Sequence, residues 1–186
     1  MNIELLRAVY GIDAQRAAAW LPYMREALAF ASITTMQRKA CWLAQIGHES
    51  GCLRYTKELW GPTSQQRRYD PVTTLSGRLG NIHPGDGERY MGRGLIQTTG
   101  RANYALTTVM LRQLLGTNDV PDFEARPELL QLTRWAALSA ALFWRVKDLN
   151  RWADSLDFQE LTRRINGGYN GLAHRQALYT RAIIAL

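Results

Sequence analysis

The chain holds 186 residues, of which 46% are hydrophobic, 10% aromatic and 21% charged. That length and apolar content suit one packed globular domain and exclude a disordered, fibrous or linker-like chain, and no apolar run approaches the roughly 20 residues of a membrane span. Twenty-three Lys and Arg against 16 Asp and Glu leave a net charge of +7, which favours an anionic partner: nucleic acid, anionic lipid or an acidic cell-wall polymer.

The pattern along the chain is largely helical. Asn2 caps a short helix through Val9, with Ile3, Leu6, Val9 and Tyr10 on one face. Asp13 starts a helix over 14–31, which Pro22 divides or whose second half it opens. Thr34 or Thr35 caps the next, in which Met36, Ala40, Leu43 and Gly47 recur at helical spacing until Gly51 ends it. The stretch 53–90 carries Gly61-Pro62, Asp70-Pro71, Gly77, Gly80-Asn81, Pro84-Gly85 and Gly87, which are turn signals. A long irregular segment inside a compact domain is usually functional. Helical pattern returns over 101–115, over 127–144 with a break near Thr133, over 157–165 up to Gly167-Gly168, and over 173–186. The expected fold class is mainly α, interrupted by one glycine-rich segment. Residues 1–11 lack the cationic start and long apolar run of a secretory signal. Cys41 and Cys52 make neither a disulfide framework nor a zinc site and read as reduced, mostly buried thiols.

Four segments hold residues suited to chemistry. Gly47-His48-Glu49-Ser50-Gly51 places a carboxylate at the end of an apolar helix. The partial negative charge of a helix C-terminus disfavours an anion there, and a protonated carboxyl is what a general acid needs. Glu58 follows nine residues later, beside Lys57, on the irregular segment. Two carboxyl groups facing one another are the minimum for glycoside hydrolysis, one protonating the leaving oxygen and one activating water. The third segment, 90–104, sets glycines, amides and hydroxyls immediately before a helix, and Gln97, Thr99 and Asn103 offer the donors and acceptors of a sugar site. It lacks the Lys of a phosphate loop and the alternating strands and helices of a dinucleotide site. The fourth, Ile165-Asn166-Gly167-Gly168-Tyr169-Asn170-Gly171 followed by His174-Arg175, ends a helix and presents two Asn to a polar ligand. Taken singly, each has an ordinary structural reading: a frayed helix end, a chance pair of Glu, a turn with a helix cap, a glycine C-cap. The three His match no metal spacing, and no nucleophile elbow is present. Neither a cofactor nor a metal is expected. Trp42, Trp135, Trp144 and Trp152 fit helix faces, and Trp60 is the one expected near a cleft.

In this order and spacing the four segments closely resemble the family 19 glycoside hydrolases, the chitinases and the chitinase-like lysozymes of bacteriophages. The resemblance runs from about Arg38 to Arg175. It implies a two-lobed, lysozyme-like fold with a central cleft, forming a single catalytic domain over residues 1–186, and an inverting mechanism. Glu49 would be the acid and Glu58 the base. Thr99 falls where the family has a Ser or Thr that helps hold the water. Gln97, Asn103 and Asn166 fall at sugar-contacting positions, His48 flanks the acid, and Arg175 matches a cleft arginine. Plant members are secreted and cross-linked by several disulfides, unlike this chain with its two Cys. A compact, basic, signal-less chain without a wall-binding module resembles the phage branch. The expectation is a monomeric endolysin made in the host bacterial cytoplasm, cutting peptidoglycan after release through the inner membrane and inserting in no membrane. Chitin is the alternative substrate. A different class, a basic helical domain with Arg93 and Arg101 on nucleic-acid phosphates, lacks any recognition module.

Overall fold

A computed structural model describes residues 1–71 and 73–186. Among them are ten α-helices: α1 (Ile3–Tyr10), α2 (Ala14–Phe30), α3 (Met36–Glu49), α4 (Thr74–Leu79), α5 (Asp86–Arg89), α6 (Arg101–Leu115), α7 (Thr133–Val146), α8 (Leu149–Asp154), α9 (Phe158–Asn166) and α10 (Leu172–Ala185). The only β pairing among the described residues is two isolated bridges, Lys57 with Arg93 and Arg93 with Thr98. The chain is therefore mainly α, as its periodicity implies. It divides into two compact units, Met1–Tyr55 with Ala140–Leu186, and Thr56–Ser139.

The first unit is organised around α3. Its start is local chemistry: the Thr35 hydroxyl accepts from the Arg38 N–H at 3.1 Å. Asn2, Asp13 and Asp157 do the same for α1, α2 and α9, satisfying N–H groups that the helix leaves unpaired. Every residue of α3 from Ala40 to Gly47 is buried. Trp42 meets the edge of Trp144 at 5.4 Å, and α10 and α8 pack against the same helix. Gly47 is required by close approach, because a Cβ there would stand 2.5 Å from the Tyr10 ring. The Tyr10 hydroxyl donates to the Leu43 carbonyl at 2.9 Å, a hydrogen bond that also ties α1 to α3.

The second unit is built on Tyr90, Leu95, Tyr104, Leu111, Phe123 and Leu130, all buried. Tyr90 and Tyr104 meet edge to face at 5.4 Å. The turn-rich stretch is more helical than its glycines suggest: it holds α4, α5 and a 3-10 turn at Gln66–Tyr69. A reciprocal cap explains α4, the Thr73 hydroxyl accepting from the Ser76 N–H and the Ser76 hydroxyl from the Thr73 N–H. Gly77 is thus a helical residue. The break expected near Thr133 is real, separating a 3-10 turn at Pro127–Gln131 from α7. The short helix α8 was not expected. Asp148 precedes it with φ +49° and caps it with no side-chain bond, so the usual start signal is missing. Cys41 is buried and Cys52 half-buried, both as free thiols.

Candidate active site

Glu49 is the last residue of α3, and Gln45 lies one turn earlier on the same face. Arg175, in the first turn of α10, meets both. Its Nη2 donates to Glu49 Oε1 at 2.5 Å and its Nη1 to Gln45 Oε1 at 2.6 Å, while Nε donates to the Asn170 carbonyl at 3.2 Å. Gln45 is held in turn, its amide donating to the Thr162 hydroxyl at 2.9 Å. Arg175 is fully buried. A guanidinium without solvent needs a counter-charge and filled donors, and Glu49 supplies the charge. The carboxylate that helix polarity alone would disfavour is therefore compensated. Arg175 was expected among the substrate contacts; instead its three bonds point into the protein, and it orients Glu49. Glu49 Oε2 has no hydrogen-bond partner among the described residues, and its side chain is 19% exposed.

His48 Nδ1 lies 2.9 Å from His174 Nδ1, so one ring donates and the other accepts. Partial burial, then the nearby Arg175 charge and His174, push the His48 imidazole below its ordinary value, against the opposing pull of Glu49. The ring covers Gly171. A Cβ there would come within 2 Å of the imidazole, and Gly171 has φ +70°, so only glycine fits. Behind Glu49 the chain makes a left-handed turn, with Gly51, Cys52 and Leu53 at φ +58°, +59° and +64°. Non-glycine residues resist this conformation by roughly 1–2 kcal/mol each. Ser50 holds the turn, donating to the Ile46 carbonyl and accepting from the Leu53 N–H, and burial of Leu53 offsets part of the strain.

In the second unit Glu58 is fixed from both ends. Its backbone N–H donates to the Gly92 carbonyl at 2.8 Å, and its Oε2 accepts from the Gly92 N–H at 2.9 Å. Its Oε1 accepts from Gln66 Nε2 at 2.9 Å. Gly92 has no room for a side chain: a Cβ would stand 2.7 Å from Gln97 Oε1 and 3.2 Å from Glu58 Oε2. Glu58 and Gln97 thus approach the same glycine. Arg93 pairs with Thr98 by reciprocal backbone bonds, and Gln97 closes the intervening turn with φ +57°, its amide donating to the Gly94 carbonyl at 2.8 Å. The Thr99 hydroxyl donates to the Gln97 carbonyl at 2.9 Å, and Asn103 Nδ2 to the Thr99 carbonyl at 2.7 Å. Thr99 does not cap α6. Gly100 occupies the N-cap position, and the Arg101 N–H is taken by Asn81 Oδ1 at 2.9 Å.

The structure therefore brings Glu49, His48 and Arg175 together in the first unit, and Glu58, Gln97, Thr99 and Asn103 together in the second. Asn166 is the exposed last residue of α9. Trp60 packs near Tyr69, ring centroids 6.3 Å apart. Gln45 and Gln66 were not singled out from sequence. Gln45 had a readable signal, a polar residue on an otherwise apolar helical face four before Glu49; Gln66 had none. The nucleic-acid alternative loses its two arginines. Arg93 is buried and donates to the Arg89 carbonyl and Tyr104 hydroxyl. Arg101 pairs with Asp86 and Glu124.

Comparison with known proteins places the chain in a family. No family model matches the chain. A glycosyl hydrolase family 19 domain-containing protein of Haemophilus influenzae is 34% identical over 177 residues, covering 83% of this chain and 82% of its own. Two solved structures share the fold. Chitinase C from Streptomyces griseus has a TM-score of 0.68 at 23% identity, covering 99% of this chain and 75% of its own. A bacterial family 19 chitinase has a TM-score of 0.68 at 19% identity, covering 99% and 93%. A helical glycoside hydrolase is the class these features define. The chain belongs to glycosyl hydrolase family 19.

Proposed function

We propose that the protein hydrolyses the glycosidic bonds of bacterial peptidoglycan by inversion, with Glu49 as general acid and Glu58 as general base. The observation that carries this reading is the contrast in how the two carboxyl groups are bonded. Glu49 has one oxygen fixed by Arg175 and one without a partner among the described residues. The open oxygen takes up a proton as the glycan displaces solvent and delivers it to the leaving glycosidic oxygen, which restores the carboxylate that Arg175 compensates. Glu58 accepts from two neutral donors, which suits a carboxylate that must take a proton from water. The water oxygen bonds to the anomeric carbon as the carbon–oxygen bond breaks, and solvent returns the protons. Thr99 donates to a carbonyl, leaving lone pairs on its hydroxyl to accept the second water hydrogen. His48, Gln97, Asn103 and Asn166 contact the sugars.

Peptidoglycan carries carboxylates, and a +7 protein approaches an anionic wall faster than an uncharged one. In the same reading the protein is a monomeric phage endolysin, made in the host cytoplasm and released through the inner membrane, with no cofactor. The likeness to two solved chitinases supports a second substrate, chitin. Incubation with purified peptidoglycan and, separately, with N-acetylglucosamine hexamer, followed by mass spectrometry, separates the two. New reducing ends on muramic acid are the expected result; cleaved peptides would overturn the glycosidase assignment on the wall. Proton NMR of the first-formed product tests inversion, which yields the α-anomer from a β-linked glycan.

A further inference from the structure

A short turn that no sequence motif marks holds Glu58. Gln66 opens the 3-10 turn Gln66–Tyr69 and is 4% exposed. Its Oε1 accepts from the backbone N–H groups of Thr63 at 2.7 Å and Gly61 at 3.3 Å. Its Nε2 donates to the Leu59 carbonyl at 2.8 Å and to Glu58 Oε1 at 2.9 Å. All four positions of the amide are filled, two accepting and two donating. The two backbone N–H groups fix which end is oxygen, so the NH₂ end must face Glu58.

A 3-10 helix repeats every three residues, which sets Gln66 and Tyr69 on one edge. Tyr69 lies beside the same carboxylate. Burial, then the nearby Glu58 charge, push the Tyr69 phenol above its ordinary value. The Trp60 ring beside it limits where that phenol can move. Gly92 holds the other carboxylate oxygen from the backbone. We infer that Gln66 is a positioning residue for the base: the turn it opens, with Tyr69 beside the carboxylate, clamps Glu58 in a single orientation. The inference rests on Glu58 as the base.

Gln66→Glu keeps the acceptor for Thr63 and Gly61 but turns the donor facing Glu58 into a second carboxyl. Two carboxyl groups at hydrogen-bond distance cannot both ionise freely, so one retains a proton to higher pH. The Glu58 carboxyl carbon, followed by carbon-13 NMR, should titrate about one pH unit higher in Gln66→Glu than in the wild type. The acidic limb of the kcat/KM profile should move with it, and kcat should fall roughly 10- to 100-fold with KM within about twofold. Tyr69→Phe removes only a phenol oxygen and carries the test if Gln66→Glu does not fold; both readouts should move the same way by a smaller amount. A lower melting temperature with an unmoved Glu58 titration and an unmoved limb would reduce the turn to a structural role and overturn the inference. A Glu58→Gln variant with wild-type turnover is a separate failure. It would remove the base assignment, and a shifted Glu58 titration would then report on a carboxyl outside the chemistry.

Discussion

Two carboxyl groups in two units are held by opposite means. Glu49 faces a buried cation, and Glu58 accepts from an amide and a backbone N–H. A buried guanidinium fixes its partner strongly but makes the pair interdependent, because removing either member strands the other. Neutral donors orient a carboxylate with less at stake, since each bond contributes only about 0.5–1.5 kcal/mol. The first unit therefore couples Glu49 to its own stability, and the second couples Glu58 much less.

The largest effect separates the two directly. Glu49→Gln and Glu58→Gln should each lower turnover by about 10²- to 10⁴-fold, because an amide neither donates nor accepts the required proton. Their stabilities should differ. Glu49→Gln strips the counter-charge from buried Arg175 and should cost about 3–5 kcal/mol, whereas Glu58→Gln should cost about 1 kcal/mol or less. Urea denaturation of both variants checks this; equal losses would break the contrast between the units.

Arg175→Met carries the contrast further without touching either carboxyl group. It leaves Gln45 and Glu49 without their shared donor inside the first unit, and loss of one partner of a buried pair costs about 3–5 kcal/mol. Arg175→Lys should recover part of this, because one ammonium cannot reproduce the two-pronged guanidinium. A Lys variant as stable as the wild type would mean that charge alone, and not the fork, orients Glu49.

These pairings show how far the sequence could be read. Helix starts were legible because a cap is a local event: Asn2, Asp13, Thr35 and Asp157 each accept an N–H three residues on. The segments bearing Glu49, Glu58, Gln97, Thr99 and Asn103 were legible because their residue types and spacing resemble one family. The role of Arg175 was not. It depends on α10 packing against α3 across 126 residues of chain, and nothing local distinguishes an arginine aimed inward from one aimed at a ligand. Gln66 was hidden for a related reason: its neighbours read as turns, and a turn's side-chain targets are set by tertiary folding. The short helices α4 and α8 escaped because six residues give periodicity too little length to show.

The second unit does contain one strongly coupled ion pair, and it predicts a pH dependence. Burial opposes ionisation of Asp86, yet Arg101 and the N–H groups of His83 and Ile82 hold its carboxyl down to about 2. A folded value below the unfolded one stabilises the protein above about pH 4, and the contribution disappears as pH falls through 2. The size is about 2 kcal/mol. Asp86→Asn should lose roughly that amount at pH 7 and show a flatter dependence of urea stability on pH between 4 and 2. An unchanged slope would mean that other carboxylates dominate acid unfolding.

The smallest effect concerns Thr99, whose two readings the structure helps to separate. As a helix cap, its loss would lower stability by about 1 kcal/mol and leave the rate per folded molecule unchanged. Asn81 takes that cap bond, and the Thr99 hydroxyl instead donates to the carbonyl of Gln97, a residue at φ +57° in the turn beside Gly92. In the proposed reaction the same oxygen accepts a hydrogen of the water that Glu58 activates, and holding a nucleophile in line is worth orders of magnitude in rate. Thr99→Val keeps the shape and removes both contacts. Losing the water contact should cost on the order of 1–3 kcal/mol in the transition state, roughly 5- to 150-fold in kcat. KM should change little, because the water is a small part of what binds the glycan. Thr99→Ser restores the hydroxyl and should recover most of the rate. Melting temperature and turnover measured on one preparation decide between the roles: a stability loss with full turnover would leave Thr99 as a brace for the Gln97 turn and leave Glu58 alone to hold the water.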